Sequence, residues 1–183
     1  MVHNLSPRNP EQMLISRCLQ NDRLAQREMY EMLSARMFAV CVRYIGDREE
    51  AKDVLHDGFI TLFSRLESFK GEGSFEGWAR RIFVNTALMH LRKSDILKHS
   101  EDIESSAADM KEGPSVMDRM AAAELLKLIA RMPAGFRTVF NLYAIEGYSH
   151  QEIAQVLNIS EGGSRSQLSR ARIWLKERLK NYQ

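Results

Sequence analysis

The segment from Tyr148 to Arg172, YSHQEIAQVLNISEGGSRSQLSRAR, constrains the fold more than any other part of the chain: it reads as two short helices joined by a tight turn. Ser149 stands three residues before Glu152, the spacing of a reciprocal capping box that opens a helix. Ile153, Ala154 and Leu157 give that helix an apolar face. Asn158 and Ile159 supply a turn with an apolar plug, and Ser160 is placed to cap the next helix by accepting a backbone N–H bond. A turn of roughly three to four residues between helices is the helix-turn-helix arrangement. In the second helix Leu168, Ala171 and Leu175 share one face, while Arg165, Ser169, Arg172 and Lys176 recur at helical spacing on another. One face packs and the other is left for a partner.

Charge suggests which partner. Between Glu161 and Gln183 there are six Lys or Arg against two acids, in a chain whose formal net charge is only +2. Cations gathered on one helix are suited to phosphates, which makes DNA the leading partner. An ordinary helical hairpin with a solvated basic face would look the same from this segment alone, so the choice rests on the rest of the chain.

No apolar run approaches the roughly 18 residues of a membrane span. The start, MVHNLSPRNPEQMLI, lacks the uninterrupted apolar core and small-residue cleavage site of a secretory signal. A cytoplasmic protein without membrane insertion is therefore expected, with Cys18 and Cys41 reduced. Two isolated cysteines without C-x-x-C spacing and five scattered histidines make no zinc site, so neither metal nor cofactor is expected.

Helical periodicity dominates throughout and no alternating strand pattern of any length occurs, so the fold class is all-α. Asn9 before Pro10 marks a first helix start. A long helix is expected from about 24 to 44, broken by Gly46 and Asp47. A third, from 48 to about 69, carries Val54, Leu55, Phe59, Leu62, Phe63 and Leu66 as a buried stripe, and Gly71 and Gly73 stop it. Ser74 caps a fourth, running to about Lys93, with Phe75, Trp78, Ala79, Ile82, Ala87 and Leu91 available for packing.

Composition then changes. Residues 95 to 118 hold seven acids against two lysines, interrupted by Ser105, Ser106, Ala107, Ala108 and Gly113-Pro114, which reads as a mobile linker. Helices from about 117 to 131 and 134 to 146, separated by Pro133 and ended by Gly147, lead into the helix-turn-helix. The expected architecture is two small helical domains, 1–95 and 118–183, joined by an acidic flexible linker at 96–117, the C-terminal domain being a helix-turn-helix.

Three stretches carry a resemblance to a known family. DREEAKDVLHDGFITLF (47–63), FKGEGSFEGWARRIFVNTALMHLRK (69–93) and ARMPAGFRTVFNLYAIEGYSHQEIAQVLNISEGGSRSQLSRAR (130–172) resemble the sigma-70 family of bacterial RNA polymerase specificity subunits, extracytoplasmic-function (ECF) subgroup. Fewer than thirty residues separate the modules, leaving no room for the extra domain of housekeeping members. The resemblance implies a sigma factor that binds core RNA polymerase, reads the minus-10 and minus-35 promoter elements and assists melting; it is not an enzyme. Family members are often held by an anti-sigma factor, on which this sequence is silent. The acidic linker would by resemblance run near the path of the transcript, with a passive tether as the alternative.

Carried over residue by residue, Asp53 and Asp57, at i and i+4, form an acidic face for arginines of core polymerase, with His56 on the same side. Without the resemblance, a solvated acidic face would be the better reading. His56 stands where the family commonly has glutamine; both side chains can hydrogen-bond, and the histidine can also carry a charge. The resemblance places Phe69 and Asn85 at a flipped-out base of the minus-10 element. Trp78 falls on the apolar stripe, where a core role is favoured over base stacking. Arg80, Arg81, Arg92 and Lys93 read as phosphate contacts, the alternative being a solubilising face. Minus-35 contacts fall on Arg165, Ser166, Ser169 and Arg170, with Arg172 on the same basic surface, because an arginine fork can engage guanine O6 and N7 together. Ser160 and Glu161 open that helix, whose amides are placed to meet a phosphate. Gly162 and Gly163 depart from the family, where a hydroxyl residue is common at the second position.

Two other classes fit less well. A stand-alone helix-turn-helix regulator would ordinarily bring a sensing domain with a parallel sheet, whereas residues 1–95 read as helices only. A recombinase would need a catalytic serine backed by arginines on a mixed α/β domain, and Ser6 and Ser16 have no such setting.

Overall fold

The computed structural model describes residues 10–93 and 118–180, all of the regular structure there being helical. In order these are α1 (Pro10–Leu19), α2 (Arg23–Ile45), α3 (Arg48–Arg65), α4 (Phe75–Lys93), α5 (Asp118–Ala130), α6 (Ala134–Phe140), α7 (His150–Leu157) and α8 (Glu161–Leu179). The all-α expectation is met. The expected acidic linker at 96–117 lies outside the described residues.

Local chemistry sets most boundaries. Asp22 caps α2 by accepting from the Leu24 and Ala25 amides, and Asp47 caps α3 through Glu49 and Glu50. Between them Gly46 takes φ +85°, and its N–H closes the last turn of α2 on the Val42 carbonyl. The helix expected to run to Phe69 stops at Arg65 and tightens into a 3₁₀ turn, Leu66–Ser68. That turn lets Phe69 fold back onto Phe75 and Trp78, with ring centroids 5.2 and 5.4 Å away.

The helix expected from 134 to 146 also divides. After Phe140 the chain widens into a π turn, Asn141–Ile145, in which the Glu146 amide reaches the Asn141 carbonyl. Tertiary contacts explain the widening: the Asn141 side-chain amide donates to the Arg43 carbonyl at 2.9 Å, and Glu146 is directed at α2 and α4.

The core of α1–α4 is built on Met29, Leu33, Met37, Tyr44, Leu62, Phe75, Phe83 and Leu91, all essentially inaccessible. It continues into the C-terminal half, where Val139, Leu142, Ile153 and Leu168 join the same apolar cluster. A smaller cluster, Leu128, Ile129, Met132, Ala171 and Leu175, ties α5 to α8. The two helical modules thus pack against each other, chiefly through α2 against α5 and α6.

Candidate functional site

The helix-turn-helix is assembled largely from its own sequence. Ser149 Oγ accepts from the Glu152 amide while the Glu152 carboxylate accepts from the Ser149 N–H at 2.8 Å, which holds that carboxyl below its usual range. Asn158 turns the chain in the left-handed region, φ 55°. Ser160 Oγ accepts from the Gly163 amide at 2.9 Å and starts α8. Ile153, Leu168, Ala171 and Leu175 are buried, while Ser160, Glu161, Arg165, Ser166, Ser169, Arg170 and Arg172 are exposed. Arg165 spans one turn back to Glu161 at 2.7 Å.

A set of side chains that periodicity does not single out fixes the angle between α7 and α8. His150 Nδ1 lies 2.9 Å from the Oγ of Ser164, which is fully buried. The Tyr143 ring stacks on His150 at 4.7 Å, and the Arg172 guanidinium lies over the Tyr143 ring, 5.8 Å from its centroid. The basic face of α8 is thereby braced from behind by polar and aromatic contacts as well as by its apolar stripe.

On the N-terminal module, Asp53, His56 and Asp57 are all exposed on α3. Asp57 lines a groove with Ile60, Arg65, Asn85, Met89 and Lys93, between α3 and α4. Asn85 therefore opens onto the same groove as Asp57. Phe69 is half-buried in its aromatic cluster, and Trp78, also half-buried, stacks on Phe75 at 5.7 Å. Arg81, Arg92 and Lys93 are exposed.

Arg80 is placed differently. With Trp78 and Arg81 it lines a cleft of about 890 Å³ whose opposite wall is Ile145, Glu146, Gly147 and Tyr148 of the C-terminal module. There its Nε and Nη2 donate to the two oxygens of Glu146 at 2.9 and 3.0 Å. Donating to the Glu146 carboxylate raises the Arg80 pKa, so the guanidinium is firmly cationic. Arg43, buried on α2, donates to the same carboxylate at 2.6 Å.

A second polar contact lies beside it. The fully buried guanidinium of Arg137, from α6, donates to the Tyr44 and Ile45 carbonyls at the end of α2, at 2.9 and 2.6 Å. It also donates to the Ala130 carbonyl at the end of α5 and to the Met132 carbonyl just beyond it, at 2.7 and 3.0 Å. A cation at two helix C-termini satisfies carbonyls that the helices leave unpaired and meets the negative ends of both dipoles. Burial lowers its pKa to about 10, still far above neutrality, so it remains charged. Arg43, Arg137, Asn141 and Glu146 escape sequence reasoning. The available signal is Arg137 itself, a charge set within the apolar run of FRTVFNL.

Among the described residues no helix is long and apolar enough to cross a membrane, and no group of three or more His, Cys, Asp or Glu is arranged to hold a metal. Both cysteines are buried, and burial pushes the Cys41 thiol up to about 12.

The family models of Sigma-70 region 2 and Sigma-70, region 4 match residues 29–95 and 122–175, together about two thirds of the chain. The chain belongs to the sigma-70 family. Its relatives place it in the ECF subgroup. The RNA polymerase sigma-H factor of Pseudomonas aeruginosa is 28% identical over 173 residues, covering 88% of this chain and 90% of that one. The ECF RNA polymerase sigma-E factor of Haemophilus influenzae is 27% identical over 180 residues, covering 92% and 95%. Among solved structures, the sigma factor RpoE of Bartonella quintana, determined with the anti-sigma factor NepR, shares the fold: TM-score 0.53 and 22% identity over 84% of this chain and 96% of that one.

Proposed function

We propose that this sigma-70 family chain is the subunit that gives core RNA polymerase its promoter preference, with the work divided between its two modules. The carrying observation is that region 2 and region 4 occupy one chain in that order, with an exposed acidic face on α3 and an exposed basic face on α8. The module at 1–95 docks on core polymerase through Asp53, His56 and Asp57. It also engages the minus-10 element through Phe69, Asn85 and the cations Arg80, Arg81, Arg92 and Lys93. The module at 118–183 reads the minus-35 element through α8. The protein acts by binding and catalyses no reaction, and it works in the cytoplasm, where core polymerase is. The Bartonella quintana sigma factor was solved bound to an anti-sigma factor, and we extend the expectation of an inhibitor of that kind to this chain.

The deciding experiment adds the purified chain to core polymerase on a library of promoter fragments. Initiation should start at defined sites that depend on the chain. DNA binding without a stable polymerase complex would instead favour a stand-alone regulator. Changing Asp53 and Asp57 together to Ala should weaken polymerase association about tenfold or more, since hydrogen bonds to charged groups are each worth about 1.5–3 kcal/mol. Unchanged association would return that face to solvent.

A further inference from the structure

We infer that Glu146 is an internal latch: it closes the C-terminal module onto the N-terminal one in the free chain and occupies Arg80, so that DNA must displace it. This rests on the proposed reading of Arg80 as a phosphate contact.

The geometry is that of an anion seated in a phosphate's place. Both Glu146 oxygens are engaged, Oε2 by Arg80 Nε and Oε1 by Arg80 Nη2 and Arg43 Nη2. The two-point hold on Arg80 uses the same parallel donors that a phosphodiester would take, so carboxylate and phosphate exclude each other there. The Glu146 side chain is only 10% exposed, whereas that of Arg80 is 35% exposed and borders the open cleft. A competing anion therefore has a path to Arg80 while Glu146 is still in place.

The contact is also suited to release. Glu146 sits on an irregular segment, after the π turn and before Gly147 at φ +79°, so it can move without unwinding α6 or α7. A desolvated ion pair adds little net stability, because lost hydration offsets most of the attraction. Exchanging the carboxylate for a phosphate keeps the Arg80 charge compensated throughout. Displacement also takes the carboxylate away from Arg43, whose pKa burial already lowers, so that guanidinium has to meet water as the modules part.

The test uses the full chain, labelled on Ser64→Cys in α3 and Gln155→Cys in α7, both exposed, with the two native cysteines buried. Intermodule distances are measured by spin-label or fluorescence methods, and affinity by anisotropy with a mixed-sequence single-stranded oligonucleotide. Glu146→Gln should broaden and lengthen the distance distribution and tighten oligonucleotide binding by on the order of tenfold, the worth of one charge-assisted pair. Adding Arg80→Ala should abolish that gain. Arg43→Met, which removes the other hold on Glu146 without altering a DNA-facing side chain, should open the chain as well and serves if Glu146→Gln folds poorly. Unchanged distances in both variants would overturn the latch. Opening without tighter binding would overturn the occlusion and remove Arg80 from the DNA face, while polymerase-dependent initiation by the unaltered chain tests the sigma reading separately.

Discussion

Arg165 shows how little holds a reading side chain in place before DNA arrives. Its partner Glu161 lies one turn earlier at 2.7 Å, but both are well exposed, 64% and 45%. Exposed pairs of this kind are worth only about 0.2–1 kcal/mol, less than the roughly 1–3 kcal/mol of discrimination available from a bidentate guanine contact. Arg165 is thus oriented by Glu161 and given up readily. Arg165→Ala should relax preference at a single upstream position when initiation is measured across a panel of minus-35 variants. A uniform loss over the panel would make it a phosphate contact. The nature of its partner, Glu161, follows from i, i+4 spacing, whereas the two-sided engagement of Glu146 involves residues 66 and 103 positions away.

At the scale of the element, α8 resolves the oddity of Gly162-Gly163. Gly163 sits tightly in its own cap: its amide donates to Ser160 Oγ, and a Cβ there would lie 3.2 Å from that oxygen, which would have to give by a few tenths of an ångström. Gly162 has no such constraint, its nearest side-chain atom being 3.9 Å from a built Cβ. The two glycines should therefore respond differently. Gly162→Ala should raise the melting temperature by a few degrees, since glycine costs about 1 kcal/mol against alanine in a helix. Gly163→Ala should give a smaller gain or a loss as the cap is crowded. Equal gains would remove the cap argument. Helix α7 illustrates the opposite case, in which the capping box and the αL residue Asn158 are both written within the segment and need nothing from elsewhere.

For the whole molecule, the decisive feature is that the two modules share one apolar cluster and a buried polar seam. Gly46 is the point where this seam meets the backbone. It combines φ +85° with an approach so close that a Cβ would fall 2.4 Å from Arg137 Nη1 and 2.9 Å from the Ala130 carbonyl. Gly46→Ala should cost about 1–3 kcal/mol in strain alone. It should loosen the packing of α5 and α6 on α2, seen as a larger radius of gyration by small-angle scattering with helicity retained. An unchanged radius would show that the seam accommodates the methyl group. If the latch also holds, Gly46→Ala and Glu146→Gln should enlarge the molecule by more than either change alone.

The sequence by itself determined where most of the helices lie, the caps at Ser149 and Ser160, the helix-turn-helix and which faces of α3 and α8 are apolar, because each depends on side chains a few residues apart. The family followed from three stretches of motif that together span both halves. Only the tertiary structure decided that α6 opens into a π turn, that Arg137 seals the ends of α2 and α5, and that Arg80 is held by Glu146. Those features arise where distant residues are brought into one desolvated place. No periodicity records such a meeting, since a charged side chain in an amphipathic pattern looks the same whether it faces water or a partner across the fold.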